Sequence, residues 1–301
     1  MAKAPVHYIG LESVNSHQQR MTTNHLDIKR RKGVLILTLS DPKTRNALGP
    51  DLVQALNEEL DRFESNIQDR VLVLTGEDPS FCSGANVRRF DQELPNTRQN
   101  KPTESSLIWE RMESAKACKK QIDPSSGALL PLRLHHLQKP SIAVINGYAI
   151  GVGMGLALAC DIRIASERAI FSEAFVKMGL VPGDGSCWQL PRMISLSDTY
   201  LLQYTGDKID GPEALRIGLI SKLYSHNTVL QEALKLAERI AAGPTLSHSL
   251  TKYLIQESMD LSLEESLDLA NGAQAIARDS EDHSEAVKAF LEKRPPRFKG
   301  K

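Results

Sequence analysis

The sequence predicts an α/β fold, with a largely parallel sheet covered on both sides and a helix-only C-terminal region. Three observations carry this. Aliphatic runs at 34–39, 71–74 and 141–145 have the length of strands and lack polar alternation, which marks strands buried on both faces. Helical patterns lie between them, as parallel neighbours require. Beyond residue 227 the pattern is helical to the end.

The chain has 301 residues and formal net charge +0, with 41% hydrophobic and 25% charged residues. That length suits one large domain or two smaller ones, with a substantial core. Balanced charge gives no general attraction to nucleic acid or an anionic membrane, so neither is expected as a partner, and an anionic ligand needs a local basic cluster. No run reaches the roughly 18 apolar residues of a membrane helix, and no apolar signal core opens the chain. Cys82, Cys118, Cys160 and Cys187 form no C-x-x-C pair and no zinc-like spacing. No metal site is expected, and a reducing, cytoplasmic location fits.

Residues 1–25 are polar and aperiodic, and include His7, His17 and His25; they read as a flexible tail. Two strands then flank the turn at Arg30-Arg31-Lys32-Gly33, and Asp41-Pro42 ends the second. A polar loop with Lys43 and Arg45 follows. Pro50 opens a helix with Leu52, Leu56, Leu60 and Phe63 on one face. The strand at 71–74 ends at Thr75-Gly76, and the next loop, through Ser83-Gly84-Ala85-Asn86-Val87, is rich in small residues. Residues 88–137 are polar, with helical patterns around Trp109 and Met112 and again at 129–137. Short strands are expected at 161–165, 170–171 and 220–224, and a Gly/Pro-rich turn at 179–185 has Asp184 at its tip. Asp198 to Tyr204 reads as a helix stopped by Gly206, and Pro212 opens another closed by Gly218. Asn227 can cap the next helix, Ser262 with Glu265 forms a capping box, and Ser280 opens the last helix. The organisation is a tail at 1–25, an α/β core at 26–225 and a helical region at 226–301.

The stretch Asn146-Gly147-Tyr148-Ala149-Ile150-Gly151-Val152-Gly153-Met154-Gly155 runs from a strand through glycines into the small-residue helix 156–160. Such a junction exposes free N–H groups at the positive end of a helix, where an anion or a developing oxyanion is stabilised. Glycine needed only for tight packing is the competing explanation, and spacing alone does not separate the two.

Taken together the motifs resemble the crotonase, or enoyl-CoA hydratase/isomerase, superfamily. They are Asp41-Pro42-Lys43 with Arg45-Asn46-Ala47-Leu48, Phe81-Cys82-Ser83-Gly84-Ala85, Lys139-Pro140 through Asp161, Phe171-Ser172-Glu173-Ala174-Phe175, Gly179-Leu180-Val181-Pro182, Leu190-Pro191-Arg192, Thr205-Gly206-Asp207, and Glu281-Asp282-His283 to Arg294. The resemblance spans residues 25–301 and implies a spiral of β-β-α units, a homotrimer or a dimer of trimers, and a CoA thioester substrate. No separate cofactor is implied, since coenzyme A enters as part of the substrate. It places the two N–H donors of an oxyanion hole on Ala85 and Val152. It implies CoA contacts from Lys43, Arg45, Ser83 and Val87, and from Phe290 and Lys293 toward a neighbour's CoA.

The sequence departs from the hydratase pattern at its centre. The two glutamates that members use to add water fall at Gly155 and Phe175, which carry no carboxylate and cannot move a proton. Members with one carboxylate place it in the loop after Gly-Leu-Val-Pro, one residue before Asp184. Asp184 is therefore the first candidate base. Glu173 is the second, since an extended 171–175 would put residues 173 and 175 on one face. Asn86 stands where many members have aspartate. Segment 88–137 is longer than in most members, so Trp109, Met112 and the helix near Leu129 are candidates to shape an acyl pocket, and Glu110 or His135 to supply a proton-transfer group. Three functions stay open: an enoyl-CoA isomerase with one carboxylate base; a hydratase, hydrolase or lyase with a non-standard acid/base; and a CoA-binding protein without turnover.

Overall fold

The aliphatic runs form strands and the helical patterns cross between them, in two sheets rather than one. The computed structural model describes residues 19–23, 25–86, 108–117 and 127–301. Three strands open the fold: β1 (Gln19–Thr23), β2 (Leu26–Arg31) and β3 (Val34–Leu39). Next come α1 (Pro50–Ser65), β4 (Val71–Gly76) and β5 (Ser80–Cys82). They are followed by α2 (Ile108–Ala117), α3 (Leu130–His135), β6 (Ser141–Ile145), β7 (Tyr148–Ile150) and α4 (Val152–Ala159). Then come β8 (Ile162–Ser166) and β9 (Ile170–Ser172), a 3₁₀ turn at Ala174–Met178, α5 (Ser186–Gln189) and α6 (Leu196–Thr205). The small elements β10 (Ile209–Asp210), α7 (Gly211–Arg216) and β11 (Lys222–Tyr224) complete the strands. The helices α8 (Val229–Ala241), α9 (Thr245–Ser258), α10 (Leu263–Arg278) and α11 (Glu281–Leu291) finish the chain.

Among the described residues one sheet has the order β1-β2-β3-β4-β6-β8-β11 and the other β10-β9-β7-β5. Pairing from β3 to β11 is parallel, as it is from β5 through β7 to β9. The chain thus deposits one strand in the large sheet, the next in the small sheet, and then crosses back. The pairs β4–β5, β6–β7 and β8–β9 repeat this step, giving the spiral of β-β-α units.

Period-two alternation separates the two faces of the large sheet. Leu35, Leu37, Leu72, Leu74, Ala143 and Ile145 face a core with α1, α3 and α4. Val34, Ile36, Val71, Val73, Ile142 and Val144 face the opposite way, against Val229, Ala233, Ala237 and Ala241 of α8. Small residues at i+4 spacing let α8 lie close to the strands, so by packing α8 belongs to the α/β core although it follows residue 225. Helix α4 is buried along its whole length, which explains why its sequence has no polar face.

Three local expectations need revision. Residues 19–23, expected in the tail, pair antiparallel with β2. Their polar composition hid this, because an edge strand gains its ladder bonds without needing burial. The helix expected to be capped by Asn227 starts at Val229, and its N-cap Thr228 makes no side-chain cap. In α2 Trp109 is 78% exposed and Met112 50%, so neither walls a pocket among the described residues. The capping box of Ser262 and Glu265 and the cap of Ser280 on the His283 N–H form as expected.

Candidate active site

The loop ahead of α1 brings the basic candidates together. Asn46, fully buried, accepts the Asp41 N–H and donates to the carbonyls of Glu77 and Ser80 at 2.8 and 2.7 Å. This clamps loop 41–46 onto the end of β4 and the start of β5. Ser83 is tied to the same loop, its N–H to Arg45 O and its hydroxyl to Thr44 O. Lys43 and Arg45 are left exposed. The Arg45 guanidinium lies 5.7 Å from the Tyr148 ring centroid, and Lys208, which the sequence did not single out, lies 5.8 Å from it. Val87 falls outside the described residues.

The two glycine-rich turns meet. Gly84 has φ +96°, and a Cβ there would lie 2.6 Å from Ile150 O and 3.8 Å from Val152 N. A Cβ at Gly153 would lie 2.3 Å from Cys82 O. Only glycine allows the end of β5 to approach the start of α4 this closely. Ala85 forms a parallel bridge with Leu48 through the Gly84 carbonyl and Leu48 N–H, at 2.8 Å, which leaves the Ala85 N–H outside the pairing. Val152 is the first residue of α4, and its N-cap is Gly151, with no side chain to cap the helix. Its N–H is therefore one of the orphan donors of a helix start.

The carboxyl candidates also meet, by a different route. Glu173 follows β9 at the N-cap of the 3₁₀ turn, so residues 173 and 175 do not share a strand face. Instead Glu173, at 0% exposure, points toward Asp184, which is 3% exposed. Between them stands Ser186, its hydroxyl 3.0 Å from Glu173 Oε2 and 2.8 Å from Asp184 Oδ1. The Ser186 N–H donates to the same Oδ1 at 3.1 Å. Burial, and then the neighbouring Asp184, push the Glu173 carboxyl up to about 8; burial also raises Asp184. Ser186 was missed in the sequence, although Asp184-Gly185-Ser186 has the spacing at which an aspartate accepts the N–H two residues on.

Gly155 explains how Asp184 fits. A Cβ at Gly155 would lie 2.4 Å from Asp184 Oδ2. The carboxylate of Asp184 thus fills the space that any side chain at 155 would enter. Asp184 Oδ2 has no hydrogen-bond partner among the described residues. Gly155 is three residues along α4 from Val152, about 4.5 Å of helical rise, so Asp184 is seated against the same first turns of the helix that carry the Val152 N–H. Phe175, at the other glutamate position, lies against Gly151, whose Cβ would be 3.6 Å from the ring. A cavity of about 410 Å³ opens beside Asp184, walled by Leu129, Leu132, His135 and His136 on one side and Trp188 and Gln189 on the other. Cys82 and Cys160 are buried, and burial pushes both thiols up to about 12, so neither supplies a thiolate. Among the described residues no group of His, Cys, Asp and Glu is placed to hold a metal ion.

The enoyl-CoA hydratase/isomerase family model matches residues 29–301. The chain belongs to the enoyl-CoA hydratase/isomerase family. It is 34% identical to the 1,2-epoxyphenylacetyl-CoA isomerase of Escherichia coli over 270 residues, 90% of this chain and 96% of that one. It is also 34% identical to the (E)-benzylidenesuccinyl-CoA hydratase of Thauera aromatica, over 89% of this chain and 96% of the relative. The enoyl-CoA hydratase structure from Bacillus anthracis superposes with a TM-score of 0.78 at 26% identity, covering 92% of this chain and all of that one (100%). As an enoyl-CoA hydratase/isomerase family member the protein is an acyl-CoA enzyme. Among its candidate residues, Lys43, Arg45, Ser83 and Ala85 come together around one loop, and Val152, Asp184 and Glu173 around α4. Phe290 and Lys293 are not brought to these turns within one chain: Phe290 is 82% exposed on α11, which packs on α10.

Proposed function

We propose that the protein moves the double bond of an enoyl-CoA thioester, with Asp184 as its single base. The observation that carries this is the unpaired Asp184 Oδ2, seated against Gly155, three residues after Val152 on α4. The thioester oxygen accepts from the Ala85 and Val152 N–H groups. Asp184 removes a proton from C2 of a 3-enoyl thioester, and the electron pair moves so that negative charge builds on that oxygen. Two preorganised donors stabilise it, one such donor being typically worth about 10²–10³ in rate. Asp184 then returns the proton to C4, leaving the 2-enoyl thioester. One carboxylate suffices, which fits the absence of a carboxylate at both Gly155 and Phe175. Arg45 and Lys208 around Tyr148, with Lys43 on the same loop as Arg45, supply the basic cluster for the CoA phosphates, Ser83 is tied to that loop, and the cavity at Leu129 and Trp188 takes the acyl group. The apolar residues exposed on α10 and α11, among them Leu263, Leu267, Phe290 and Leu291, support assembly as a homotrimer or dimer of trimers, in which Phe290 and Lys293 reach a neighbour's CoA. The free, buried thiols of Cys82 and Cys160 fit a cytoplasmic location.

Hydration is the second reading, favoured by the contact of Glu173 with Asp184 through Ser186, which could divide acid and base between them. Incubation with 3-enoyl-CoA and 2-enoyl-CoA panels, wild type beside Asp184→Asn, tests both. Double-bond migration by the wild type, reduced about 10²–10⁴-fold in the variant, is expected for a general base. Unchanged migration in the variant overturns the assignment of Asp184. Appearance of 3-hydroxyacyl-CoA as the main product favours hydration, and acyl-CoA binding without any turnover favours a non-catalytic CoA-binding protein.

A further inference from the structure

Ser186 stands between the two carboxyls, and neither reading of the reaction gives it a role of its own. A hydroxyl has one hydrogen, yet its oxygen lies within hydrogen-bond distance of both Asp184 Oδ1 and Glu173 Oε2, at 2.8 and 3.0 Å. Both contacts are satisfied only when one carboxyl is protonated and donates to the serine oxygen. The Ser186 N–H decides which. It donates to Asp184 Oδ1 at 3.1 Å, so two donors of one residue converge on that oxygen. Two converging donors stabilise a charged oxygen. The hydroxyl therefore donates to Asp184 and accepts from Glu173.

We propose that Ser186 is a positioning residue that holds the pair in a one-proton state, with the proton on Glu173 and the charge on Asp184, so that Asp184 alone is the base. The proposal rests on the reading of Asp184 as base, and names what prepares it. The surroundings agree. Glu173 is fully buried and its Oε1 has no partner among the described residues. No cation there is ion-paired with either carboxyl; Lys177, on the adjoining 3₁₀ turn, lies 3.4 Å from Asp207 instead. Such a site does not tolerate two carboxylates; Asp184 Oδ2 is also buried without a partner, and the two Ser186 donors on Asp184 Oδ1 decide that the proton lies on Glu173. Among the described residues the other titratable groups facing the pair are the Cys187 thiol, bonded to Gln203, and His135 and His136 across the cavity. Burial lowers His135 and raises Cys187, which keeps both uncharged near neutrality. Burial and Asp184 push Glu173 the way the geometry requires, to about 8. In the reaction Asp184 Oδ2 takes and returns the substrate proton, while the Ser186 hydrogen and the Glu173 proton stay where they are.

Two measurements test this, one of which needs no turnover. Infrared difference spectroscopy of the whole protein at pH 7 should show the carbonyl band of a buried carboxylic acid, lost in Glu173→Gln and kept in Asp184→Asn. Its absence from the wild type, or its survival in Glu173→Gln, overturns the proposal whatever reaction the enzyme catalyses. In kinetics, Ser186→Ala removes a donor that favours the Asp184 anion. The acidic limb of the kcat profile should rise by about one pH unit with KM little changed, because one lost hydrogen bond to a charged group is worth about that much. Glu173→Gln should lower kcat at pH 7 about tenfold at most, far less than Asp184→Asn, since a carboxamide N–H can replace the acid's donation. An unshifted profile in Ser186→Ala, or a loss in Glu173→Gln equal to that in Asp184→Asn, shows that Ser186 does not set the proton. Loss of Asp184 as base would instead appear as activity retained in Asp184→Asn, so the two failures are distinguishable.

Discussion

The turns carrying Ala85 and Val152 are built of backbone held against backbone, whereas the carboxyls near them are built of side chains held by one hydroxyl. In the turns, a Cβ at Gly84 or Gly153 would come within 2.6 or 2.3 Å of a carbonyl oxygen of the other strand–loop unit. Neither position can change without moving a strand. Beside α4 the opposite holds: Gly155 leaves an opening, and Asp184 enters it from a different loop. The space for a carboxylate is thus fixed while the residue supplying it is exchangeable. This separation gives a physical reason why one fold serves relatives named as hydratases and as isomerases. On the proposed reaction, the site for developing negative charge is inherited with the backbone, and the proton chemistry is set by a few side chains.

The comparison is broken most severely at the backbone. Gly84→Ala puts a Cβ on a residue at φ +96° and within 2.6 Å of Ile150 O. The turn must open, which tilts the Ala85 N–H away from its partner donor. Loss of one aligned donor is expected to lower kcat about 10²–10³-fold, with a stability loss of about 1–3 kcal/mol from the strained backbone. Steady-state kinetics beside urea unfolding checks both. A folded variant with wild-type kcat would show that the Ala85 N–H does not bear on the reaction.

The side-chain half offers a milder break. In Gly155→Ala the new methyl would stand 2.4 Å from Asp184 Oδ2 and 3.1 Å from its Cβ. Asp184 must withdraw by roughly 1 Å, a displacement that can cost up to about 10²-fold in rate. The expected result is a ten- to hundredfold fall in kcat with KM changed about twofold or less, since the proposed CoA contacts at Lys43, Arg45 and Lys208 lie elsewhere. A crystal structure of the variant should show the carboxylate displaced. An unchanged kcat with a displaced carboxylate would remove Asp184 from the chemistry.

The sequence made the backbone half legible and left the side-chain half obscure. Glycine at 84, 151 and 153 marks close approach and turn geometry, because no other residue serves there; the turns were therefore visible from spacing. The aliphatic strands of the large sheet were visible for a similar reason, since runs such as Val34 to Leu39 have only one way to be buried, whereas β5 and β7 of the small sheet are three-residue strands that read as loop and turn. Asp184 could be nominated from its loop, but not its insertion against Gly155, which depends on two segments about thirty residues apart. Glu173 was nominated on an extended 171–175, and the actual route is a 3₁₀ turn starting at Ala174. Ser186 bridges two carboxyls from different elements, and no periodicity reports such a meeting. β1 was missed because a polar edge strand has the composition of a tail.

The smallest expected effect sharpens the difference through stability. The Glu173 carboxyl is pushed up to about 8, against 4.5 for the ordinary group, by burial first and then by Asp184. Between those two pH values the folded protein holds a proton that the unfolded chain has released. Stability therefore declines as pH rises through this window, being fully present below the unfolded value and lost above the folded one. Asp184, raised by burial as well, acts in the same direction. In Glu173→Gln the neutral carboxamide removes the Glu173 part. Urea unfolding at intervals from pH 5 to pH 9 should show wild type losing stability relative to the variant by an amount on the order of a few kcal/mol, because each pH unit crossed in the window is worth about 1.4 kcal/mol. The backbone turns carry no titrating group, so Gly84→Ala should run parallel to wild type across the same range. A pH-independent gap between wild type and Glu173→Gln would mean that the Glu173 carboxyl is already ionised when the protein folds, and that the side-chain half is held by something other than a shared proton.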